Sequence, residues 1–179
     1  MRITGTTLAG VHVVAAEVHR DERGEFWRSY CRLELAGAGV TFDVHQSNVS
    51  VNRSMHTLRG FHFQRPPSVE QKILTVITGS AHVVIVDVRT DSSTFLAHEA
   101  FVFGVGDRRS LVVAGGCATG FLTLADDTIV HYQMSDYFQP GNYTGFRYDD
   151  PAIGVEWPYE PAVMSDRDRS FGALDTSTL

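Results

Sequence analysis

Lys72-Ile-Leu-Thr-Val-Ile77, then Gly79-Ser80, then His82-Val-Val-Ile-Val-Asp-Val88 decides the class of the fold. Both runs are rich in β-branched residues, which fit an extended, pleated backbone better than a helix. A glycine–serine turn signal divides them, so the spacing predicts two strands joined as a hairpin. The pattern continues outward. Ala97 to Phe103 is a third run, closed by Gly104 to Asp107, and Ser110 to Val113, Gly120 to Leu124 and Thr128 to Met134 follow. Turn residues recur about every ten positions, which predicts an all-β sandwich or barrel rather than alternating βαβ units. One helix is expected around Phe26 to Leu35. Pro151, Pro158 and Pro161 predict a tail that wraps the surface irregularly. With no linker and no repeat, residues 1–179 read as one domain.

Composition narrows the function. Hydrophobic residues at 43% and charged residues at 20% are those of an ordinary globular protein. A net charge of −6 argues against a polyanion binder, so nucleic acid is not an expected partner. A local basic cluster still suffices for one phosphorylated ligand. Cys31 and Cys117 form no close-spaced pair and read as free thiols of a reducing compartment. The opening residues carry one arginine and no apolar core segment, so no signal peptide is expected. Apolar runs such as Val83 to Val86 are far too short for a bilayer, so no membrane partner and a cytoplasmic location are expected.

The segment densest in chemistry is Leu58-Arg-Gly-Phe-His-Phe-Gln64. In a strand, side chains alternate between faces. Phe61 and Phe63 then anchor an outer layer, while His62 and Gln64 face the interior with Gly60, which leaves room for a ligand. Arg59 precedes them and Lys72 opens the next strand. From spacing alone, His62 reads equally as a satisfied core histidine and as a functional one. In Thr128-Ile-Val-His-Tyr-Gln-Met134, Tyr132 shares a face with Val130 and Met134, and His131 lies opposite. A tyrosine so placed is core more often than not. Asp136-Tyr-Phe-Gln-Pro-Gly141 is a turn whose aromatics suit a base or sugar face, or ordinary packing. In Asp21-Glu-Arg-Gly-Glu-Phe26, Arg23 before glycine presents a fork of donors suited to phosphate, or is solvated surface as most such arginines are. A metal is not expected. The cupin pattern of a His-x-His pair, a later Glu and a last His is met here only by His62 and Glu70, with Thr119 at the final position.

These segments together resemble the dTDP-4-dehydrorhamnose 3,5-epimerase family. Leu58 to Gln64 is similar to its LRGxHxQ signature, Asp21 to Phe26 to its D-x-R-G-x-F turn, and Gln46-Ser-Asn48 to its Q-x-N. Lys72, Gly120 to Leu124, Asp136-Tyr137, Pro140, Asp149 to Pro151, Gly154, Trp157-Pro158 and Ser165 to Arg169 follow in the family's order, so the likeness spans about residues 8 to 170. The resemblance implies a cupin-type jelly-roll β-barrel with short peripheral helices, a homodimer, no cofactor, and a nucleotide-linked 4-keto-6-deoxy sugar as substrate. It implies His62 as base, Tyr132 as acid on the opposite face of the sugar, Asp168 behind the histidine with Asp166 as rival, and Lys72 near the enolate oxygen. It places Arg59 and Arg23 on the diphosphate, Phe26, Gln46, Asn48 and Tyr137 along the nucleotide, and position 119 beside the sugar.

The chemistry is coherent. Removing a proton beside a ketone leaves charge on the ketone oxygen. A histidine can be a neutral base near pH 7, an aspartate fixes its tautomer, a lysine stabilises the enolate, and a phenol returns a proton from the far face. Three positions depart from the family. Thr119 replaces the usual histidine, Arg28 a glutamate, and Gln133 a lysine. They suggest a variant substrate, or inversion at one carbon only. A 3,4-ketoisomerase and a non-catalytic sugar-nucleotide binding cupin are the competing readings.

Overall fold

Most strands of this chain carry apolar residues on both faces, and a free-standing hairpin cannot bury both. The computed structural model, which describes residues 1–179, shows how they are covered. In chain order the elements are β1 (Arg2–Gly5), β2 (His12–Ala15), β3 (Val18–Asp21), β4 (Gly24–Trp27), α1 (Arg32–Gly37), β5 (Gln46–Asn52) and β6 (Leu58–Gln64). Then come β7 (Lys72–Thr78), β8 (Ala81–Asp87), β9 (His98–Phe103), β10 (Arg109–Val113), β11 (Cys117–Thr123), β12 (Thr128–Met134), β13 (Tyr143–Gly145) and α2 (Asp166–Arg169). One sheet runs β1-β2-β10-β7-β12-β5 and the other β13-β6-β11-β8-β9, while β3 and β4 form a separate hairpin. The result is the expected all-β jelly-roll barrel with short peripheral helices.

Between the sheets, Leu74 and Val76 of β7 meet Val83 and Ile85 of β8, with Phe103, Leu111, Phe121 and Val130 completing a packed core. The outer face of the five-stranded sheet presents Phe61, Phe63, Val84 and Val86, and the C-terminal segment covers them with Phe146, Ile153 and Trp157. On the outer face of the six-stranded sheet, Val14, Ile73 and Val112 lie under Leu35, Val40 and Phe42, contributed by α1 and the loop after it. Four layers thus give each central strand two apolar neighbours.

This layering explains three departures from the sequence-based expectations. β7 and β8 are consecutive but do not pair. β7 lies between β10 and β12, and β8 between β11 and β9, so Gly79-Ser80 carries the chain from one sheet to the other. The helix begins at Arg32, not near Phe26. Phe26 and Trp27 pair with His19 and Val18 across the β3–β4 hairpin, and Leu35 is the only buried residue of α1. Gly60 does not make room for a ligand. Its φ is +129°, and a Cβ there would lie 2.5 Å from the Cα of Gly120 and 2.8 Å from the Thr119 carbonyl oxygen. Glycine is required because β11 passes too close for any side chain. The tail is irregular as expected, apart from a 3-10 turn at Thr176–Thr178 and α2, where the Ser165 hydroxyl accepts from the Asp168 amide at 3.1 Å. No helix is long and apolar enough to cross a membrane.

Candidate active site

Alternation along β6 sends Phe61 and Phe63 outward, as the sequence predicts, and turns His62 inward. Alternation along β12 packs Val130 in the core and turns Tyr132 and Met134 toward the same interior, while His131 faces the other way and meets Ser47 at 2.8 Å. Between the sheets these strands leave a cavity of about 450 Å³. His62, Tyr132, Lys72, Arg59 and Thr119 line it, and β5 adds Gln46, Asn48 and Ser50 from alternate positions.

The tail reaches back to complete the histidine. Nε2 of His62 lies 2.8 Å from an oxygen of Asp168 on α2, and the other oxygen accepts the Gly60 amide at 3.3 Å. Burial alone would raise the Asp168 carboxyl, but its hydrogen bonds with His62, Gly60 and Ser165 outweigh this and hold it below the usual carboxylate range. An ionised carboxylate only accepts, so it selects the tautomer with hydrogen on Nε2 and leaves the lone pair on Nδ1. The ring packs against Tyr143 at 5.4 Å and Phe171 at 5.9 Å between centroids. Asp166 does not compete, because its side chain is fully exposed and faces Arg169.

Burial pushes the Tyr132 phenol well above its ordinary value, so it stays protonated. Lys72 is buried, and its Nζ donates to the His62 carbonyl at 3.2 Å and to the Thr119 hydroxyl at 3.3 Å. Burial lowers its pKa, while the Glu70 carboxylate 3.9 Å away opposes that shift. Arg59 is steadied by Asn52, its Nε donating at 2.8 Å. Gln46 accepts from the Phe138 amide, which draws the turn after β12 over the cavity mouth.

Three expected site residues lie elsewhere in this chain. Arg23 and Phe26 sit on the β3–β4 hairpin, which forms its own surface depression, and Phe26 is 71% exposed. Tyr137 is 62% exposed and stacks on His45 at 5.2 Å outside the cavity. Its neighbour Phe138 lines the cavity instead, in edge contact with Tyr143 at 5.1 Å. Sequence reasoning also missed Tyr143 and Ser50, and took Glu70 only as a relic of a metal pattern. The strand around Tyr143 has three residues, too few to show alternation, whereas Ser50 follows Gln46 and Asn48 at period two and was open to that argument. No three His, Cys, Asp or Glu side chains are grouped so as to hold a metal ion.

The arrangement offers a tautomer-fixed base, a buried lysine and a neutral phenol around one cavity, and such a set can remove and return a proton beside a carbonyl. The family model of dTDP-4-dehydrorhamnose 3,5-epimerase matches residues 5–176. The dTDP-4-dehydrorhamnose 3,5-epimerase of Methanothermobacter thermautotrophicus is 33% identical over 176 residues, covering 97% of this chain and 94% of that one. The crystal structure of the Bacillus anthracis dTDP-4-dehydrorhamnose 3,5-epimerase, with TDP and pyrophosphate bound, superposes with a TM-score of 0.93 at 33% identity, covering 97% and 99% of the two chains. A 3'-monoepimerase of Streptomyces bikiniensis, in complex with dTDP-quinovose, gives a TM-score of 0.87 at 28% identity, covering 97% and 87%.

Proposed function

The chain belongs to the dTDP-4-dehydrorhamnose 3,5-epimerase family, an isomerase family, and from that premise we propose that its cavity inverts C3, C5 or both of a dTDP-linked 4-keto-6-deoxyhexose by way of an enolate. The observation that carries this reading is the His62–Asp168 pair opening into the cavity that Tyr132 also lines. Nδ1 of His62 takes the proton beside the ketone. Asp168 then stabilises the imidazolium as a buried carboxylate already in place. The Lys72 ammonium faces the oxygen on which charge develops, where a preorganised donor in a dry site is most effective. Tyr132 returns a proton to the opposite face, and a phenol held neutral by burial is suited to give one.

Arg59 reaches the diphosphate, and Gln46 and Asn48 line the nucleotide. Arg23 and Phe26 lie outside the cavity of their own chain, so their contact with nucleotide requires a second copy of the chain, whose exposed hairpin reaches across a homodimer. Light scattering should show a dimer, and Phe26→Ala should raise KM with little change in kcat. A constitutive monomer with full activity would remove this part of the reading.

NMR of a dTDP-4-keto-6-deoxy sugar in D₂O tests the whole. Deuterium should enter at C3, C5 or both, with inversion. Entry at one carbon identifies a mono-epimerase, which Thr119 in place of the family's histidine favours. A moved carbonyl would indicate a ketoisomerase. Tight binding without exchange at either carbon would leave only a binding protein.

A further inference from the structure

Of the fifteen lysine and arginine side chains, Lys72 is the only lysine. Arginine keeps its charge in almost any surroundings, whereas a lysine loses its charge when burial is not compensated. The Lys72 side chain is 7% exposed. Two of its N–H groups go to neutral acceptors, the His62 carbonyl and the Thr119 hydroxyl. Glu70 supplies the only carboxylate within 4.0 Å of Nζ, at 3.9 Å, and its own side chain is 3% exposed. One Glu70 oxygen is held by the Gln64 amide, while Oε1 is buried with no hydrogen-bond partner. A buried carboxylate oxygen without a donor is costly, and here its one compensation is the neighbouring cation.

We propose that Glu70 is a positioning residue that acts through Lys72, its buried carboxylate keeping the cavity's single lysine in the ammonium form that an enolate oxygen needs. The roles of Lys72 and the enolate rest on the epimerase reading above. The other titratable groups around Lys72 do not substitute for Glu70. From β6, His62 is engaged with Asp168, and Arg59 is itself a cation. From β11, burial pushes the Cys117 thiol up to about 12, so it stays neutral. From β12 and β13, Tyr132 and Tyr143 are held protonated by burial. β10 places Val113 opposite Lys72, without charge. Asp136 lies beyond Ser68, whose hydroxyl it accepts at 2.8 Å, and its charge bears on Glu70. Burial raises Glu70 and lowers Lys72, so the two groups hold their charges only as a pair.

Because Lys72 is the only lysine, protein labelled with ¹³Cε,¹⁵Nζ-lysine gives one side-chain signal. In the wild type that signal should be that of an ammonium at pH 7. Glu70→Gln preserves the contact with Gln64 and should move the titration midpoint down by about one to three pH units, the range expected for losing an adjacent opposite charge. Glu70→Asp should move it back toward the wild type. The alkaline limb of the deuterium-exchange rate should follow the same order. A neutral amine in the wild type at pH 7, or an unmoved midpoint in Glu70→Gln, would overturn the proposal. If Glu70→Gln fails to fold, the wild-type titration still decides, since the neutral form contradicts the proposal and the charged form supports it. Wild-type protein that catalyses no exchange would count against the epimerase reading alone, because the lysine signal needs no substrate.

Discussion

The packed core and the cavity lie between the same two sheets and are built from the same strands. On β7, Leu74 and Val76 belong to the core and Lys72 to the cavity. On β12, Val130 belongs to the core, and Tyr132 and Met134 to the cavity. The register aligns the change, since Val130 lies opposite Val76, Tyr132 opposite Leu74, and Met134 opposite Lys72. Two residues along a strand, about 7 Å of rise, separate hydrocarbon from chemistry. The site is therefore the polar continuation of the core, and the core fixes the backbone from which the site's side chains project.

If that division is sound, substitutions on the two sides should fail differently. His62→Ala should abolish deuterium exchange at every carbon, a loss of about 10⁴-fold or more, while thermal unfolding changes little. Equal loss of fold and activity would blur the division. Phe103→Ala, deep in the core, should cost about 3–5 kcal/mol in chemical denaturation, yet leave the rate per folded molecule near that of the wild type. Tyr132→Phe should slow inversion by about 10²-fold while exchange persists, since the base is intact. Exchange and inversion falling together would give Tyr132 a different part.

A further prediction concerns Asp87, fully buried at the end of β8. Burial would raise its carboxyl, but hydrogen bonds from Arg89, Ser92 and Thr94 outweigh this and depress it strongly. A depressed folded-state pKa contributes stability above the unfolded value, near 4, and that contribution is lost as pH falls toward the folded value. Asp87→Asn should therefore cost about 2 kcal/mol at pH 7, and the difference should shrink below about pH 4. A pH-independent difference would contradict this. Thr119→Ala should have the smallest effect, a fall of less than about tenfold, because Lys72 keeps its other acceptor at His62.

Strand identity and facing were legible in the sequence because period two is a local signal. It placed His62 and Gln64 opposite Phe61 and Phe63, and Tyr132 opposite His131. Asp168, named from resemblance with Asp166 beside it, is singled out only when α2 docks one carboxylate against the histidine and leaves the other in solvent. Which sheet each strand joins was not legible. Nothing local in Gly79-Ser80 distinguishes a hairpin from a crossing between sheets, since two-sided burial is decided by strands far away in sequence. Gly60 was misread for the same reason, its constraint coming from Gly120 on another strand. Tyr143 and Glu70 escaped because a three-residue strand and a loop have no periodicity to read.

The hydrogen bond between His62 and Asp168 joins positions 106 residues apart, and the segment that delivers Asp168 is laid over a barrel whose inner core does not include it. On the proposed mechanism, competence can then be lost before integrity. If His62 is the base, transient peeling of the last turns would silence it while the sheets stay closed, giving a folded but idle population. A protease that clips ahead of Ser165 would remove the histidine's partner together with Leu174 and Leu179, which pack on the outer layer, so on the proposed mechanism activity should be lost along with some fall in melting temperature.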